Sequence, residues 1–177
     1  MAEKFYINPV DFQHDIWRLA KQILESGWKP DIMIALWRGG ANVGAGIHDF
    51  LAFHGWSFNH TCVKCSSYVN IGEREEIVKF DDVAEFVFSK IAPSQKVLIV
   101  DDVFDTGKTI EKVAQRLSHA DLRSACVYWK ECNNLTEMNP DYFVSKSDSW
   151  LVFPHEIQGL TENEIEMKDS FLKKLFN

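Results

Sequence analysis

Residues 97–109 read Val-Leu-Ile-Val-Asp-Asp-Val-Phe-Asp-Thr-Gly-Lys-Thr. Four consecutive apolar residues, with β-branched side chains at Val97, Ile99 and Val100, predict a strand buried on both faces. Such a strand belongs in a parallel sheet covered by helices. Asp101 and Asp102 stand together at its carboxyl end, and Asp105 follows after two apolar residues. Thr106-Gly107-Lys108-Thr109 then opens an amphipathic segment with Ile110, Val113, Ala114 and Leu117 at helical spacing. In an α/β sheet, ligands bind where strands end and helices begin. The backbone N–H groups of this loop and helix start can hold a phosphate. The carboxylates cannot; they suit sugar hydroxyls or Mg²⁺. The implied ligand carries a phosphate at one end and a hydroxylated, metal-bound part beside it.

Three other readings of the same residues fail on chemistry. A Walker A loop would use Gly107-Lys108-Thr109 but needs a glycine where this chain has Asp102, whose charge repels a triphosphate. A receiver domain carries its Asp-Asp pair after the first strand, whereas this pair lies past residue 100 and no later strand ends in Asp. A plain solvated turn gives no reason to crowd Asp101, Asp102 and Asp105, which repel one another.

The 177 residues suffice for one domain with a substantial core, and 46% of them are apolar. A net charge of −7 speaks against a broad nucleic-acid footprint, so a polyanionic ligand must be held by local N–H groups, a few cations and a metal. No apolar run reaches the roughly eighteen residues of a membrane span. Met1-Ala2-Glu3-Lys4 lacks the apolar core of a signal peptide, which predicts a cytoplasmic protein. Cys62-Val63-Lys64-Cys65, with His60 nearby, has the spacing of a zinc or redox pair. It falls in a predicted strand, Ser57–Ser66, where residues three apart face opposite sides, so reduced thiols are expected.

Along the chain, Asn8-Pro9 predicts the start of a helix with Ile16, Leu19, Ala20, Ile23 and Leu24 on one face and a stop at Gly27. Asp31–Leu36 is a buried strand leading into Trp37-Arg38-Gly39-Gly40. A second helix follows with Val43, Ile47, Phe50 and Leu51 inward and Gly55 as its stop. Ser67–Glu76 is polar, contains Gly72 and predicts a loop. Asp81 caps a third helix through Val83, Phe86 and Val87. Ser124–Trp129, Tyr142–Ser145 and Trp150–Phe153 are further strands, and the tail from Asn163 is helical. Strands alternating with helices predict an α/β fold: a doubly wound, mainly parallel sheet flanked by helices.

The stretch Val97–Thr109 resembles, at every position, the 5-phosphoribosyl 1-diphosphate (PRPP) motif of the type I phosphoribosyltransferases. The resemblance runs from about residue 5 to residue 156 and points to the branch acting on hypoxanthine, guanine or xanthine. It implies a single domain over 1–177, with a small hood built from the chain ends to which 145–177 contributes. It implies that Asp101 and Asp102 serve the ribose hydroxyls and Mg²⁺. Asp105, Thr106, Gly107, Lys108 and Thr109 would wrap the 5′-phosphate, with Asp105 also the catalytic acid/base near N7 of the base.

The other motifs gain meaning beside that one. Read alone, Trp37-Arg38-Gly39-Gly40 is either a strand-to-helix turn or a phosphate-binding loop. It resembles the family's diphosphate loop, whose peptide at Trp37–Arg38 is often cis. Cys65-Ser66-Ser67-Tyr68 is either a hairpin tip or the start of a closing loop, Ser67 and Tyr68 matching the residues that cover the diphosphate. Lys130, after Ala125-Cys126-Val127-Tyr128-Trp129, matches the donor to the purine O6. Trp150 is either core or the residue stacked on the base, Leu151 would offer backbone atoms to it, and Glu156 matches an acidic residue near the metal.

The chain departs from the branch at Val152, where some xanthine–guanine enzymes carry an acid, and it lacks the lysine-rich loop of orotate enzymes. A homodimer or homotetramer is expected, with PRPP and a purine base as small-molecule partners and neither nucleic acid nor membrane. A non-catalytic PRPP sensor of the same fold would keep the phosphate loop and lose the base readers. Asp105, Ser67-Tyr68, Lys130 and Trp150 are all present here.

Overall fold

The computed structural model of the chain describes residues 4–69 and 76–176. In chain order the elements are β1 (Lys4–Tyr6), α1 (Pro9–Glu25), β2 (Ile32–Trp37), α2 (Gly39–Phe53), β3 (Asn59–Val69), β4 (Glu76–Phe80) and α3 (Asp82–Ser89). Then follow β5 (Lys96–Phe104), α4 (Lys108–Arg116), β6 (Asp121–Trp129), a 3-10 turn (Glu131–Asn133), β7 (Tyr142–Lys146), β8 (Trp150–Val152), α5 (Glu162–Lys168) and α6 (Ser170–Lys174). The chain divides into two compact units, Gln13–Asp148 and a smaller one built from both chain ends, Met1–Phe12 with Ser149–Asn177.

The larger unit holds a six-stranded sheet in the order β4-β3-β2-β5-β6-β7. Every neighbouring pair is parallel except β3–β4. Alternation along each strand sends side chains to two covered faces. On one face Ile34 and Leu36 join Val97, Ile99, Ala84 and Phe88 of α3, and Ile110 and Val113 of α4. On the other, Met33 and Ala35 lie under α2, so close that a Cβ on Gly44 would stand 3.1 Å from that of Ala35. Leu98 and Ile99 are fully buried at the centre. Each such side chain contributes about 1.5–3 kcal/mol by leaving water.

The helix starts follow their predicted chemistry. Asn8 Oδ1 accepts from the Val10 N–H at 2.8 Å, and Asp81 Oδ1 accepts from the Ala84 N–H at 2.9 Å, each satisfying a donor that the helix cannot. In α3, however, Ala84 and Phe88 are buried, while Val83 and Phe86 face solvent. Phe88 fills the core with Val87 packed beside it, so of the three apolar residues read along this helix Val87 alone meets the core. The loop expected at Ser67–Glu76 is also corrected. Ser67 pairs with Val78 and Tyr68 with Ile77 in an antiparallel ribbon, and residues 70–75 lie outside the described ones. An antiparallel edge ribbon can leave a face to water, so polar sequence there does not exclude strand.

In the smaller unit β1 and β8 form a two-stranded parallel sheet, Lys4 opposite Trp150 and Tyr6 opposite Val152. Phe12 packs edge-on against Phe153 with ring centroids 5.6 Å apart. Lys4 Nζ donates to Glu164, and Glu164 also closes a capping box with Thr161, so α5 is tied both to its own start and to β1.

Candidate active site

At the carboxyl end of β5 the chain turns from core to site within one residue. Val100 is fully buried, Asp101 is half-buried and Asp102 is 7% exposed. Burial pushes the Asp101 carboxyl well above the ordinary carboxylate range, and the charge of Asp102 pushes it the same way. The Asp102 N–H, donating to Asp101 Oδ1 at 3.0 Å, works in the opposite sense. The β2–α2 connection packs directly on this pair. A Cβ on Gly39 would overlap the Asp102 carboxylate, and one on Gly40 would overlap the Val100 carbonyl. The two glycines are what let the loop lie against the strand end. The Trp37–Arg38 peptide is cis, and Arg38 is exposed at the start of α2.

Asp105, Thr106 and Gly107 link β5 to α4. Gly107 has φ +78°, and a Cβ there would come within 2.6 Å of Thr136 Oγ1 and 2.8 Å of the Phe104 ring. Only glycine fits that backbone and that space. The segment after β6 braces the loop from outside. The Lys130 N–H donates to the Phe104 carbonyl at 2.9 Å and the Leu135 N–H to the Thr106 carbonyl at 3.0 Å. The Asn134 side chain fixes that segment in turn, bonding the Met138 carbonyl and Thr136. The loop, with Asp101, Val103, Thr109 and Ile110, lines a cleft of about 160 Å³. The first N–H groups of α4 have no carbonyl within their own helix, and with the loop they form an anion-binding start.

Asp105 meets two donors. Lys130 Nζ donates to its Oδ2 at 3.0 Å, and Asn133 Nδ2 to its Oδ1 at 2.8 Å. The Lys130 side chain is 14% exposed and that of Asp105 42%, so the cation is mostly enclosed and the acid partly open. Sequence reasoning named Asp105 and Lys130 but missed Asn133, Asn134 and Thr136. The signal was available: Glu131-Cys132-Asn133-Asn134 follows the end of a parallel strand, the edge on which such sheets carry their sites.

Asp101, Asp102, Asp105–Thr109, Trp37, Arg38, Gly39 and Lys130 thus sit at the carboxyl ends of β2, β5 and β6 in one unit. Ser67 and Tyr68 lie in the same unit on β3, beyond Lys64, which is paired with Trp37. Trp150, Leu151 and Glu156 belong to the smaller unit. Trp150 is 59% exposed, which removes the reading of it as core. The Val152 carbonyl accepts from the Ile7 N–H at 3.0 Å, so the ladder turns the backbone groups of Leu151 toward the opposite edge of β8. Val152 is 2% exposed. Glu156 Oε2 accepts the Phe153 N–H at 3.1 Å, and Lys168 donates to the carbonyls of both Phe153 and Glu156. Burial holds the Lys168 ammonium below its ordinary range, with Glu156 and Asp169 pulling the other way.

Among the described residues no three His, Cys, Asp or Glu side chains converge as a metal cage. An adjacent carboxylate pair with one member half-buried fits Mg²⁺ only if the substrate supplies the remaining oxygens, which is how Mg²⁺ is usually held beside phosphates. Cys62 and Cys65 stand on β3. Burial pushes the Cys65 thiol up to about 12, with Asp101 adding to the rise. Among the described residues no helix is long and apolar enough to cross a membrane.

The larger unit thus ends its parallel sheet in a carboxylate pair beside a loop that leads into a helix N-terminus. Residues 10–159 match the family model of the phosphoribosyl transferase domain, and the chain belongs to that family. Among solved structures it is similar to the purine phosphoribosyltransferase from Pyrococcus horikoshii Ot3, at 26% identity and TM-score 0.68 over 89% of this chain and 97% of that one. A hypothetical protein from Neisseria gonorrhoeae with bound ppGpp gives 23% identity and TM-score 0.75 over 100% of this chain and 99% of that one. The Helicobacter pylori xanthine-guanine-hypoxanthine phosphoribosyltransferase gives 17% identity and TM-score 0.64 over 85% of this chain and 92% of that one. No curated protein matches the sequence.

Proposed function

We propose that the chain transfers the 5-phosphoribosyl group of PRPP to N9 of a 6-oxopurine and releases diphosphate, in cytoplasmic purine salvage. The observation that carries this reading is the Lys130–Asp105 pair, 3.0 Å apart beside the phosphate loop. It sets a donor next to an acceptor. The base edge that such a pair reads has an acceptor next to a donor, as O6 and N7–H of a 6-oxopurine are. Adenine presents an amino group where Lys130 requires an acceptor, so two donors face each other and the base edge goes unread.

In this reading the N–H groups of Asp105–Thr109 hold the 5′-phosphate, Asp101 and Asp102 orient the ribose, and Arg38 with Gly39 holds the diphosphate. Ser67 and Tyr68 cover the diphosphate. Trp150 and Leu151, in the smaller unit, are the residues that the family resemblance assigns to the base. As the C1′–oxygen bond breaks, the N9 lone pair forms the new bond to C1′, the diphosphate leaves with the old bonding pair, and the N7 proton passes to Asp105 Oδ2. Asp101 and Asp102 are the residues of the larger unit that would hold Mg²⁺, which when bound neutralises charge on the departing diphosphate. Rate comes from positioning and from charges already in place. Labelled hypoxanthine, guanine, xanthine and adenine, each incubated with PRPP and Mg²⁺, test the reading. Nucleotide formed from hypoxanthine and guanine and not from adenine supports it, and no nucleotide from any base overturns it.

A homodimer or homotetramer is proposed on the same footing, and light scattering during gel filtration checks it. The ppGpp in the Neisseria structure supports a second reading, in which a guanosine polyphosphate occupies this site and inhibits transfer. That reading predicts competition with PRPP.

A further inference from the structure

Asp105 does not hold its own orientation. Its carboxylate is 42% exposed, and the terminal torsion of an aspartate is broad when nothing fixes it. Both oxygens are nevertheless engaged, Oδ2 by Lys130 and Oδ1 by the Asn133 amide at 2.8 Å. The Asn133 donor is itself anchored. It ends the 3-10 turn Glu131–Asn133, its own N–H donates to the Lys130 carbonyl at 3.0 Å, and the adjoining Leu135 N–H is tied to the phosphate loop at Thr106. The same short segment therefore carries the base-reading cation, the second donor to the acid and the brace on the loop.

We propose that Asn133 is a positioning residue for Asp105, pinning Oδ1 so that Oδ2 alone stands beside Lys130 and faces N7 of the base. The inference rests on the reading of Asp105 as acceptor of the base proton. Without the amide, the carboxylate turns to offer both oxygens to the Lys130 ammonium. Each base-reading group then occupies the other, and the base must break a stronger ion pair to enter. PRPP, held by backbone N–H groups and by Asp101 and Asp102, is unaffected.

The test uses the full chain with Asn133→Leu, Asn133→Asp and Asn133→Gln. The first removes the donor at similar size, the second also sets a like charge against Asp105, and the third keeps an amide. Steady-state kinetics should show kcat down about 10- to 100-fold for Leu and Asp, a raised KM for hypoxanthine and a KM for PRPP within about twofold. Asn133→Gln should recover part of the loss. In an Asp105→Asn background the same substitutions should cost little more, because the group they position is already gone. A KM for PRPP that rises in step, or losses that add fully to those of Asp105→Asn, would overturn the inference. If Asn133→Leu does not fold, Asn133→Ala carries the same comparison. Failure of the unmodified protein to use any of the four bases overturns the functional reading and this inference with it. An active protein with unaltered Asn133 variants overturns this inference alone.

Discussion

Gly39 and Asp102 share a space that holds one side chain: a Cβ on the glycine would fall within the Asp102 carboxylate. The strand end β5 and the turn into α2 are therefore mutually dependent. Gly39→Ala must displace either the loop or the carboxylate, both assigned to PRPP. We expect the KM for PRPP to rise about 10- to 100-fold while the thermal midpoint moves by only a few degrees. A variant with an unaltered KM for PRPP would show that the contact is packing alone.

Asp105→Asn keeps size and shape but removes the charge to which the proposed mechanism sends the base proton. The Asp105–Thr109 loop is held by the backbone bonds of Lys130 and Leu135 to the Phe104 and Thr106 carbonyls, which the substitution does not touch. Turnover should fall about 10²- to 10⁴-fold with PRPP affinity nearly unchanged. PRPP affinity measured by calorimetry beside kcat separates the two. Near-normal turnover would sink the assigned role.

Lys130→Ala leaves Asp105 with Asn133 as its remaining donor in this cluster and opens the base edge to water. Hypoxanthine should lose about 10- to 100-fold in kcat/KM, and the discrimination against adenine should narrow. Steady-state kinetics on both bases decides the matter. An unaltered ranking of the bases would move base recognition away from this lysine.

The parts of this molecule written in local sequence were legible: the buried strand at 97–100, the carboxylates at its end, the loop at Gly107 and the two glycines after Trp37. Each is a short-range pattern whose physics does not need the rest of the chain. What was not legible depends on distant partners. β1 is three residues whose mate β8 comes from the far end of the sequence, and β4 becomes a strand only by pairing with β3. The buried side of α3 was not legible because Val83 and Phe86 are as apolar as the buried Ala84 and Phe88, so composition could not choose between faces. The place of Asn133 after a parallel strand was legible, but its partner was not, since the bond to Asp105 is made across the loop.

The tie between α5 and β1 gives the smaller unit a pH dependence with a defined sign. Lys4 donates to Glu164, and the backbone and hydroxyl of Thr161 add further bonds, holding Glu164 down to about 2 against an ordinary 4.5. A carboxyl whose folded value is depressed stabilises the fold above its unfolded value and loses that contribution as pH falls toward the folded one. The attachment of α5 should therefore be intact at neutral pH and weaken between about 4.5 and 2. The two side chains are only partly covered, at 27% and 23% exposure, so salt should reduce the effect. Lys4→Met should return the Glu164 titration part of the way to its ordinary value, the Thr161 bonds remaining, and should flatten the acid limb of the stability curve. Carbon-detected titration of the glutamate carboxyls, with Glu164→Gln for assignment, reads this directly. A Glu164 midpoint near 4.5 in the unmodified protein would show that the bond to Lys4 does not form in solution.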